Sequence, residues 1–401
     1  MGMIVWAALL FGVACIWASR HLAISRARRE QPPLTPASHA GPPAQPPFVS
    51  VLIAAKDEET NIEPAVRSML EQDYPAFETI VINDRSADRT GEILKSLKAE
   101  CPNGRLKVIH IQQLQDGWFG KNNAMREGVN QAKGEWFCFG DADCRQTSRR
   151  TLSMAVRHAV ENGIDFLSVL PRLETQSVWE KIIQPVCGAV MVFWFHPEKV
   201  NSPNLPNAYA NGAFMLMSRK CYEAIGGHEA VRSQMNEDMQ LAKLAKAHGQ
   251  RLFVMQNDGL YTVRMYSRFR EIWRGWSRIF YGCFETFRRL RITLAMLLTT
   301  NVFPYLSLLI AACVLATRGW SEAGTGWQLV AAACVLVVAM QQSVIFRYYK
   351  LSQANPWLAP TFIIGAVICV GMLINAMLKL NGRTTTTWRG TTYRGSQLAR
   401  P

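Results

Sequence analysis

The sequence contains little charge for a chain of its size: of 401 residues, 18% are charged and 49% are hydrophobic. This composition excludes a disordered polar chain and indicates a soluble core combined with membrane segments. The chain also lacks a CxxC pair, and its ten cysteines show no metal-binding spacing. We therefore expect a reduced cytoplasmic domain rather than a disulfide scaffold.

Acidic residues are scarce towards both ends of the chain. Residues 31–263 contain 24 basic and 26 acidic side chains, whereas the rest of the chain contains 20 basic and four acidic ones. The net charge of +14 therefore arises outside the middle of the chain. Because no recognition motif accompanies this charge, we expect no nucleic-acid partner and assign the charge to contact with lipid headgroups.

Residues 1–19 carry no charged side chain, and arginines follow from Arg20 onward. A helix needs about 20 apolar residues to cross a bilayer, so this segment predicts a transmembrane anchor. A cleaved signal peptide would carry its positive charge before the apolar run. Here the charge follows the run, which favours an uncleaved anchor whose C-terminal end lies in the cytoplasm.

The C-terminal region 292–380 contains three more segments that we predict to be membrane-embedded: 292–316, 327–346 and 357–380. Three full crossings would place the basic tail 381–401 outside, against the positive-inside rule. Either one segment is re-entrant or the rule is broken. The tail arginines are Arg383, Arg389, Arg394 and Arg400. A further apolar stretch, 182–195, is too short to span and is expected to form core or a lipid-facing groove wall.

Residues 20–47 form a basic linker that is rich in proline, with seven prolines between 31 and 47. In the domain that follows, 48–263, predicted strands alternate with predicted helices. This alternation predicts an α/β fold with a doubly wound, mostly parallel sheet, which binds ligands beyond the carboxyl ends of its strands. The predicted strands are 48–54, 79–82, 106–111 and 136–139, and the predicted helices are 62–72, 87–99 and 122–132.

Acidic residues follow these strands at that edge: residues 57–59, then Asp84, then Asp141 and Asp143. No GxGxxG or GxxxxGK[ST] loop follows the first strand, so a dinucleotide fold or P-loop lacks its phosphate-binding loop. A divalent cation held by Asp141 and Asp143 is the natural replacement, since it binds carboxylates and substrate phosphates together. The alternative is that Asp and Gly simply terminate the strands.

A second acidic pair, Glu237 and Asp238, opens a predicted helix after Asn236. Asn236 is a plausible N-cap, and acidic residues in a first turn stabilise the helix dipole, which accounts for the pair without any function. The alternative is a general base, because a carboxylate at a helix N-terminus has a lowered pKa and stays ionised. His228 is a weaker candidate, either structural or in contact with an acceptor.

Residues 264–291 contain eight arginines and two acidic residues, with aromatic residues at helical spacing. This pattern predicts a basic amphipathic helix lying on an anionic membrane surface. Packing of the same helix on the α/β domain is the alternative, and the two are compatible.

Six segments occur in the order found in family 2 glycosyltransferases of GT-A fold: VSVLIAAKDEE, VINDRSADRT, GWFGKNNA, GDADC, NGAFMLMSRKCYEAIGGH and NEDMQLAKLAKAHG. The resemblance covers roughly residues 48–280. The anchor, the segment YTVRMYSRFREIWRGWSR and the terminal TTWRGTTY are similar to membrane-bound bacterial enzymes that glycosylate lipids, of the carotenoid (diaponeurosporenoate-type) and hopanoid-associated kinds.

The resemblance implies an inverting, metal-dependent hexosyltransferase. It implies nucleotide-sugar contacts for these residues: Ala55, Glu58, Asp84, Lys121 and Asp141. Asp143, with Asp141, is implied to hold Mg²⁺ or Mn²⁺ on the diphosphate, where the ion neutralises charge on the leaving group. Asp238 is implied to be the base that deprotonates the attacking acceptor hydroxyl.

The sequence departs from the family pattern at several positions. Ala54-Ala55 replaces Pro-Ala, Asp57 replaces Asn, and Asn83 replaces the first Asp of a pair, which leaves the identity of the nucleotide open. The Q/R-x-x-R-W motif of processive synthases is replaced by the residues IWRGW at 272–276. This replacement argues against chain building.

We therefore expect an enzyme on the cytoplasmic face of the inner membrane that moves one sugar, from a UDP-hexose, to a lipid hydroxyl. The alternatives within this class are a polyprenyl-phosphate acceptor and a processive polysaccharide synthase. The alternative from another class is a non-catalytic membrane scaffold or transport protein with a degenerate sugar-nucleotide domain. The complete set of acidic residues, Asp84, Asp141, Asp143 and Asp238, favours the enzyme.

Overall fold

A computed structural model describes residues 1–38, 40–101 and 104–381, together with three short strands between 386 and 398. The chain divides into two compact units. The first, which we call the α/β unit, consists of residues 31–174 and 192–265 and the C-terminal strands. The second, the helical unit, consists of residues 1–30, 175–191 and 266–384.

The α/β unit is organised around a seven-stranded sheet of order β3-β2-β1-β4-β8-β6-β9. Only β8 runs antiparallel to its neighbours β4 and β6. The prediction of a mostly parallel sheet is therefore confirmed. The strands are β1 Val49–Ala55, β2 Phe77–Asp84, β3 Leu106–Ile111, β4 Trp136–Asp141, β5 Cys144–Gln146, β6 Phe166–Leu170, β7 Arg172–Leu173, β8 Phe214–Ser218, β9 Leu252–Gln256, β10 Tyr261–Val263, β11 Thr386–Trp388, β12 Thr391–Arg394 and β13 Gln397–Leu398.

Helices cover both faces of this sheet, which explains why its strands are apolar without alternation. In β1, Val51 and Ile53 join one buried cluster and Leu52 joins the other, because successive strand side chains point to opposite faces. The helices are α1 Gly2–Glu30, α2 Ile62–Leu70, α3 Thr90–Glu100, α4 Gly120–Asn130, α5 Thr151–Glu161, α6 Val178–Trp194, α7 Pro197–Asn201, α8 Arg219–Ala224, α9 Gly227–Ala230, α10 Glu237–Ala247, α11 Phe269–Phe284, α12 Phe287–Leu297, α13 Phe303–Arg318, α14 Gly324–Leu351 and α15 Phe362–Leu380.

Five helical segments are long and apolar enough to cross a membrane by length and composition. Three of them, α1, the continuous segment Phe287–Arg318 and α14, share one buried cluster. The Trp6 indole donates to Ser307 at 3.0 Å and that of Trp17 to the carbonyl of Thr300 at 3.1 Å. These contacts show that the segment Phe287–Arg318 runs antiparallel to α1, as expected for successive crossings.

The fourth candidate, Val178–Asn201, corrects the expectation that the 182–195 stretch is too short to span. Length permits a crossing, but topology excludes one. The chain before it forms β6 and the chain after it forms β8, and these strands pair within one sheet. No other candidate span lies between Asn201 and Phe214 to bring the chain back. This helix therefore does not cross the bilayer.

Two other predicted segments have different bounds in the structure. The first helix continues to Glu30, so the first part of the predicted linker 20–47 is helical. Segment 264–291 is not one helix, because Glu285 adopts a left-handed conformation (φ 57°) and Thr286 caps a new helix. Three of the four tail arginines (Arg383, Arg389 and Arg400) lie outside the described residues.

Candidate active site

The predicted site residues of the first, second and fourth motifs meet at one edge of the sheet. β1 lies between β2 and β4, with Ala55 beside Asn83 and Ala54 beside Asp141. The carboxyl ends of these parallel strands therefore bring the first, second and fourth sequence motifs together, as the sequence predicts.

The loop after β1 is held against the start of α3. Glu58 is buried, its backbone N–H donates to the Thr90 hydroxyl at 2.8 Å, and its carboxylate accepts from the Asn61 amide at 2.8 Å. Asp57 takes a positive φ of 53°, and its carboxylate accepts the N–H of Ala87 at 2.8 Å. These contacts tie the predicted nucleotide-binding loop to the start of α3 and to the residues before it.

Asp84 is buried at the end of β2 and paired with its neighbour. The Arg85 guanidinium donates to both oxygens of the Asp84 carboxylate, at 2.7 and 2.8 Å. Gly120 approaches so closely that a Cβ there would lie 2.7 Å from Asp84 Oδ2. A side chain at position 120 would therefore displace the Asp84–Arg85 pair, and Arg85 is a partner of Asp84 that the sequence analysis did not single out.

Asp141 and Asp143 flank a tight turn between β4 and β5. Both are partly exposed, and the chain does turn as two shared metal ligands require. Within the part of the chain that the structure describes, no third His, Cys, Asp or Glu joins them in a metal-binding group. Two carboxylates nevertheless fit Mg²⁺ or Mn²⁺, since Mg²⁺ in particular keeps several waters and completes its shell with substrate phosphates.

Lys121, at the start of α4, joins this turn to the start of α10. Its ammonium lies 2.5 Å from an Asp141 oxygen and 2.7 Å from an oxygen of Glu237. Burial opposes the charge, but the carboxylates of Asp141 and Glu237 outweigh it and raise the pKa of Lys121 well above its usual value. Lys121 is therefore a stable cation at the centre of the acidic cluster.

Asp238 lies beside this cluster and accepts hydrogen bonds from two backbone N–H groups, Gly212 at 2.9 Å and Met239 at 2.7 Å. Burial, and then the neighbouring Glu237 charge, raise the pKa of Asp238 to about 7, although Lys121 and the two N–H groups oppose this shift. The prediction of a lowered pKa is therefore wrong, because burial outweighs the helix N-terminus. Asn236 does occupy the N-cap position, but its side chain makes no capping hydrogen bond.

His228 proves to be an interior residue. It is fully buried, its ring nitrogen lies 3.0 Å from the Tyr222 hydroxyl, and its ring packs edge-on against Phe139. Burial lowers the pKa of His228 to about 3. This environment favours the structural interpretation of His228.

The architecture is that of a GT-A glycosyltransferase. The structure is similar to a mannosyltransferase from Pyrobaculum calidifontis in complex with GDP-Man and Mn²⁺, with 19% identity and a TM-score of 0.55, covering 93% of this chain and 98% of that one. At this identity the likeness shows the fold alone. It confirms the fold class expected from the sequence.

Residues 4–397 match the model of glycosyl transferase family 21. The chain belongs to this family. The expected glycosyltransferase class is thereby confirmed, whereas the family number 2 is not.

Among curated proteins, the chain is similar to 4,4'-diaponeurosporenoate glycosyltransferase of Staphylococcus aureus. It is 26% identical over 235 residues to the protein of strain USA300 and 24% identical over 233 residues to that of strain MRSA252. The aligned part is 57% of this chain, and it spans about 60% of the length of these relatives. The resemblance to the carotenoid-type enzymes is confirmed.

Proposed function

We propose that the protein transfers a single hexose from a nucleotide-sugar, with inversion, to a hydroxyl of a membrane lipid. The observation that carries this proposal is the position of Asp238, a half-buried carboxylate that accepts two backbone N–H groups beside the Lys121–Glu237 ion pair and whose pKa is raised to about 7. A general base works best with a pKa near the working pH. Asp238 meets this requirement, and Asp141 and Asp143 lie at the matching sheet edge.

The charges of the site suit a departing diphosphate. Lys121 supplies a fixed positive charge, and Asp143, with Asp141, would hold Mg²⁺ or Mn²⁺. When bound, this ion would neutralise charge that develops on the leaving group. Gly212 leaves the space beside Asp238 open, because a Cβ there would lie 3.5 Å from Asp238 Oδ2 and 2.9 Å from Lys121 Nζ.

A lipid acceptor is supported by two observations. The relatives in Staphylococcus aureus are named for transfer to diaponeurosporenoate. The chain also carries α1 and the C-terminal apolar helices, which a transferase acting on a soluble acceptor does not need.

We further propose that the fifth apolar segment, Pro356–Leu380, does not cross the membrane. The Trp273 ring of α11 lies against Gly371 of α15, where a Cβ would be 2.6 Å away, and the Asn375 amide donates to the Ser277 hydroxyl at 3.2 Å. From the first contact to the second, the position advances by four residues in both helices. α15 therefore runs beside α11 in the same direction. α11 carries arginines at 270, 274 and 278 and therefore belongs at the interface rather than in the bilayer core.

This arrangement supports one of the two orientations that the sequence analysis left open. If only α1, Phe287–Arg318 and α14 cross, the α/β unit and the C-terminal tail lie on the same side of the membrane. The arginines after the first span and those of the tail then both face the cytoplasm, as the positive-inside rule requires.

Fusions to the full chain in a bacterial host test the orientation. A fluorescent protein fused at the C-terminus should fold and fluoresce, whereas alkaline phosphatase at the same position should be inactive. Alkaline phosphatase inserted after Trp320, between α13 and α14, should be active. An active phosphatase at the C-terminus would overturn the three-crossing topology.

Lipid mass spectrometry tests the function. Membranes from cells expressing the wild-type chain should contain a lipid shifted by the mass of one hexose, absent with Asp238→Asn and reduced with Asp143→Ala. Glu223→Gln, on the exposed surface of the α/β unit, serves as the matched control and should match wild type. Lipids shifted by several hexoses would indicate a processive synthase. A hexose-shifted polyprenyl phosphate would identify that lipid as the acceptor instead. If the wild-type protein is expressed and folded but no lipid is shifted, a non-catalytic scaffold would be supported.

A further inference from the structure

Glu237 and Asp238 are neighbours in the chain, but they make different contacts. The Asp238 oxygens accept backbone N–H groups, whereas Glu237 forms an ion pair with the Lys121 ammonium at 2.7 Å. The Glu237 side chain is only 6% exposed, whereas that of Lys121 is 31% exposed, so the carboxylate is the shielded partner of this pair. Burying a charged group is costly unless it is paired, so the contact with Lys121 accounts for the burial of Glu237.

Lys121 is held from two sides. Asp141, the residue expected to face the nucleotide-sugar, lies 2.5 Å away on one side, and Glu237 lies on the other. A donor diphosphate or a metal ion that engages this edge must compete with the Lys121–Asp141 contact. Glu237 lies on α10, away from that turn, and is able to keep Lys121 in place when Asp141 changes partner.

We propose that Glu237 is a positioning residue, which holds the Lys121 ammonium at the donor-binding edge while Asp141 exchanges that ammonium for the donor complex. This inference rests on the proposed function and adds a role for Glu237. Glu237 acts through Lys121 and does not itself touch the donor.

Gly212 belongs to the same arrangement. A Cβ at this position would lie 2.9 Å from Lys121 Nζ, and its φ does not require glycine. An alanine there displaces the ammonium without changing any charge. Gly212→Ala therefore offers a second variant that moves Lys121 and leaves Glu237 intact.

A double-mutant cycle on the full-length protein in detergent tests the inference, with UDP-glucose, UDP-N-acetylglucosamine and GDP-mannose as donors. Glu237→Gln should raise the donor KM by about tenfold with a smaller change in kcat, because it loosens the cation that meets the donor. In a Lys121→Gln background, the same substitution should have almost no further effect. Gly212→Ala should also raise KM, and Glu237→Asp should behave like Glu237→Gln because the shorter side chain withdraws from Lys121.

The controls separate the positioning role of Glu237 from the proposed glycosyltransferase function. Glu223→Gln should leave KM unchanged, and thermal melting of each variant checks that it is folded. If Glu237→Gln lowers kcat/KM by the same factor with or without Lys121, or if Glu237→Asp equals wild type, the positioning role is overturned while the proposed function stands. If the wild-type protein transfers no sugar from any of the three donors to a membrane lipid extract, the proposed function itself fails.

Discussion

The charged groups of the candidate site and those of helix α11 lie in different environments. In the α/β unit, the Lys121 ammonium forms ion pairs of 2.5 and 2.7 Å with Asp141 and Glu237, beside the half-buried Asp238. In the helical unit, Arg270 and Arg274 of α11 are exposed, and one buried contact, between Gln341 and Asn301, is a neutral pair of amides. The difference follows from dielectric: a buried charge interacts strongly with its neighbours, whereas an exposed one is screened.

The largest effect is expected where the cation that pairs with a buried carboxylate is removed. Lys121→Met leaves Asp141, Glu237 and Asp238 facing one another without a cation, so transfer should fall by about 100-fold or more. The melting temperature should fall as well, because breaking a buried pair leaves uncompensated charge. Measured kcat/KM and melting curves check both. Lys133→Met, on the exposed surface, is the matched control, and equal behaviour of the two variants would contradict this account.

The next largest effect is expected in the dependence of kcat/KM on pH. Asp238 must be ionised to act as a base, so kcat/KM should rise as the pH increases through about 7. Glu237 raises this pKa and Lys121 lowers it. Glu237→Gln removes the like charge and should move the midpoint to lower pH. A midpoint that stays in place or moves upward would show that Glu237 does not act on Asp238.

In the helical unit, the corresponding test concerns a buried neutral pair. The Gln341 amide donates to Asn301 at 2.8 Å between α14 and the π-helical turn Leu298–Val302. Gln341→Leu leaves the Asn301 oxygen without this donor and should cost about 1 kcal/mol of stability in detergent. Replacing both residues by leucine should recover much of the loss. A larger loss of stability for the double variant than for Gln341→Leu would show that these two amides interact with further polar groups.

The fold was largely predictable because its signals are local. Strands buried on both faces form continuous apolar runs, and parallel strands bring their acidic ends to one edge, so Asp84 and Asp141 were recognised without a structure. The break at Glu285 was not predictable, since a left-handed residue other than glycine leaves no sequence signal. The sequence left the number of C-terminal crossings open, because the length of an apolar run does not reveal its contacts, such as those of α15 with α11.

The electrostatics of the site was predictable only in part. The sequence indicated acidic residues at the start of α10, but the sign of the Asp238 shift depends on burial and on contacts that only the fold creates. The Lys121–Glu237 pair joins residues far apart in the chain. The sequence did place an acidic residue, Glu237, directly before the proposed base. However, a favourable interaction with the helix dipole explained an acidic residue at this position equally well.

The smallest effect is expected for an exposed ion pair in the α/β unit. The Arg67 guanidinium contacts Glu63 and Glu100, each at 2.8 Å, and all three side chains are about half exposed. Because solvent screens such pairs, Arg67→Gln should change the free energy of unfolding by less than about 1 kcal/mol, and added salt should reduce the difference further. Melting curves at low and high ionic strength measure this. A loss as large as that of Lys121→Met would show that burial does not decide which charges matter here.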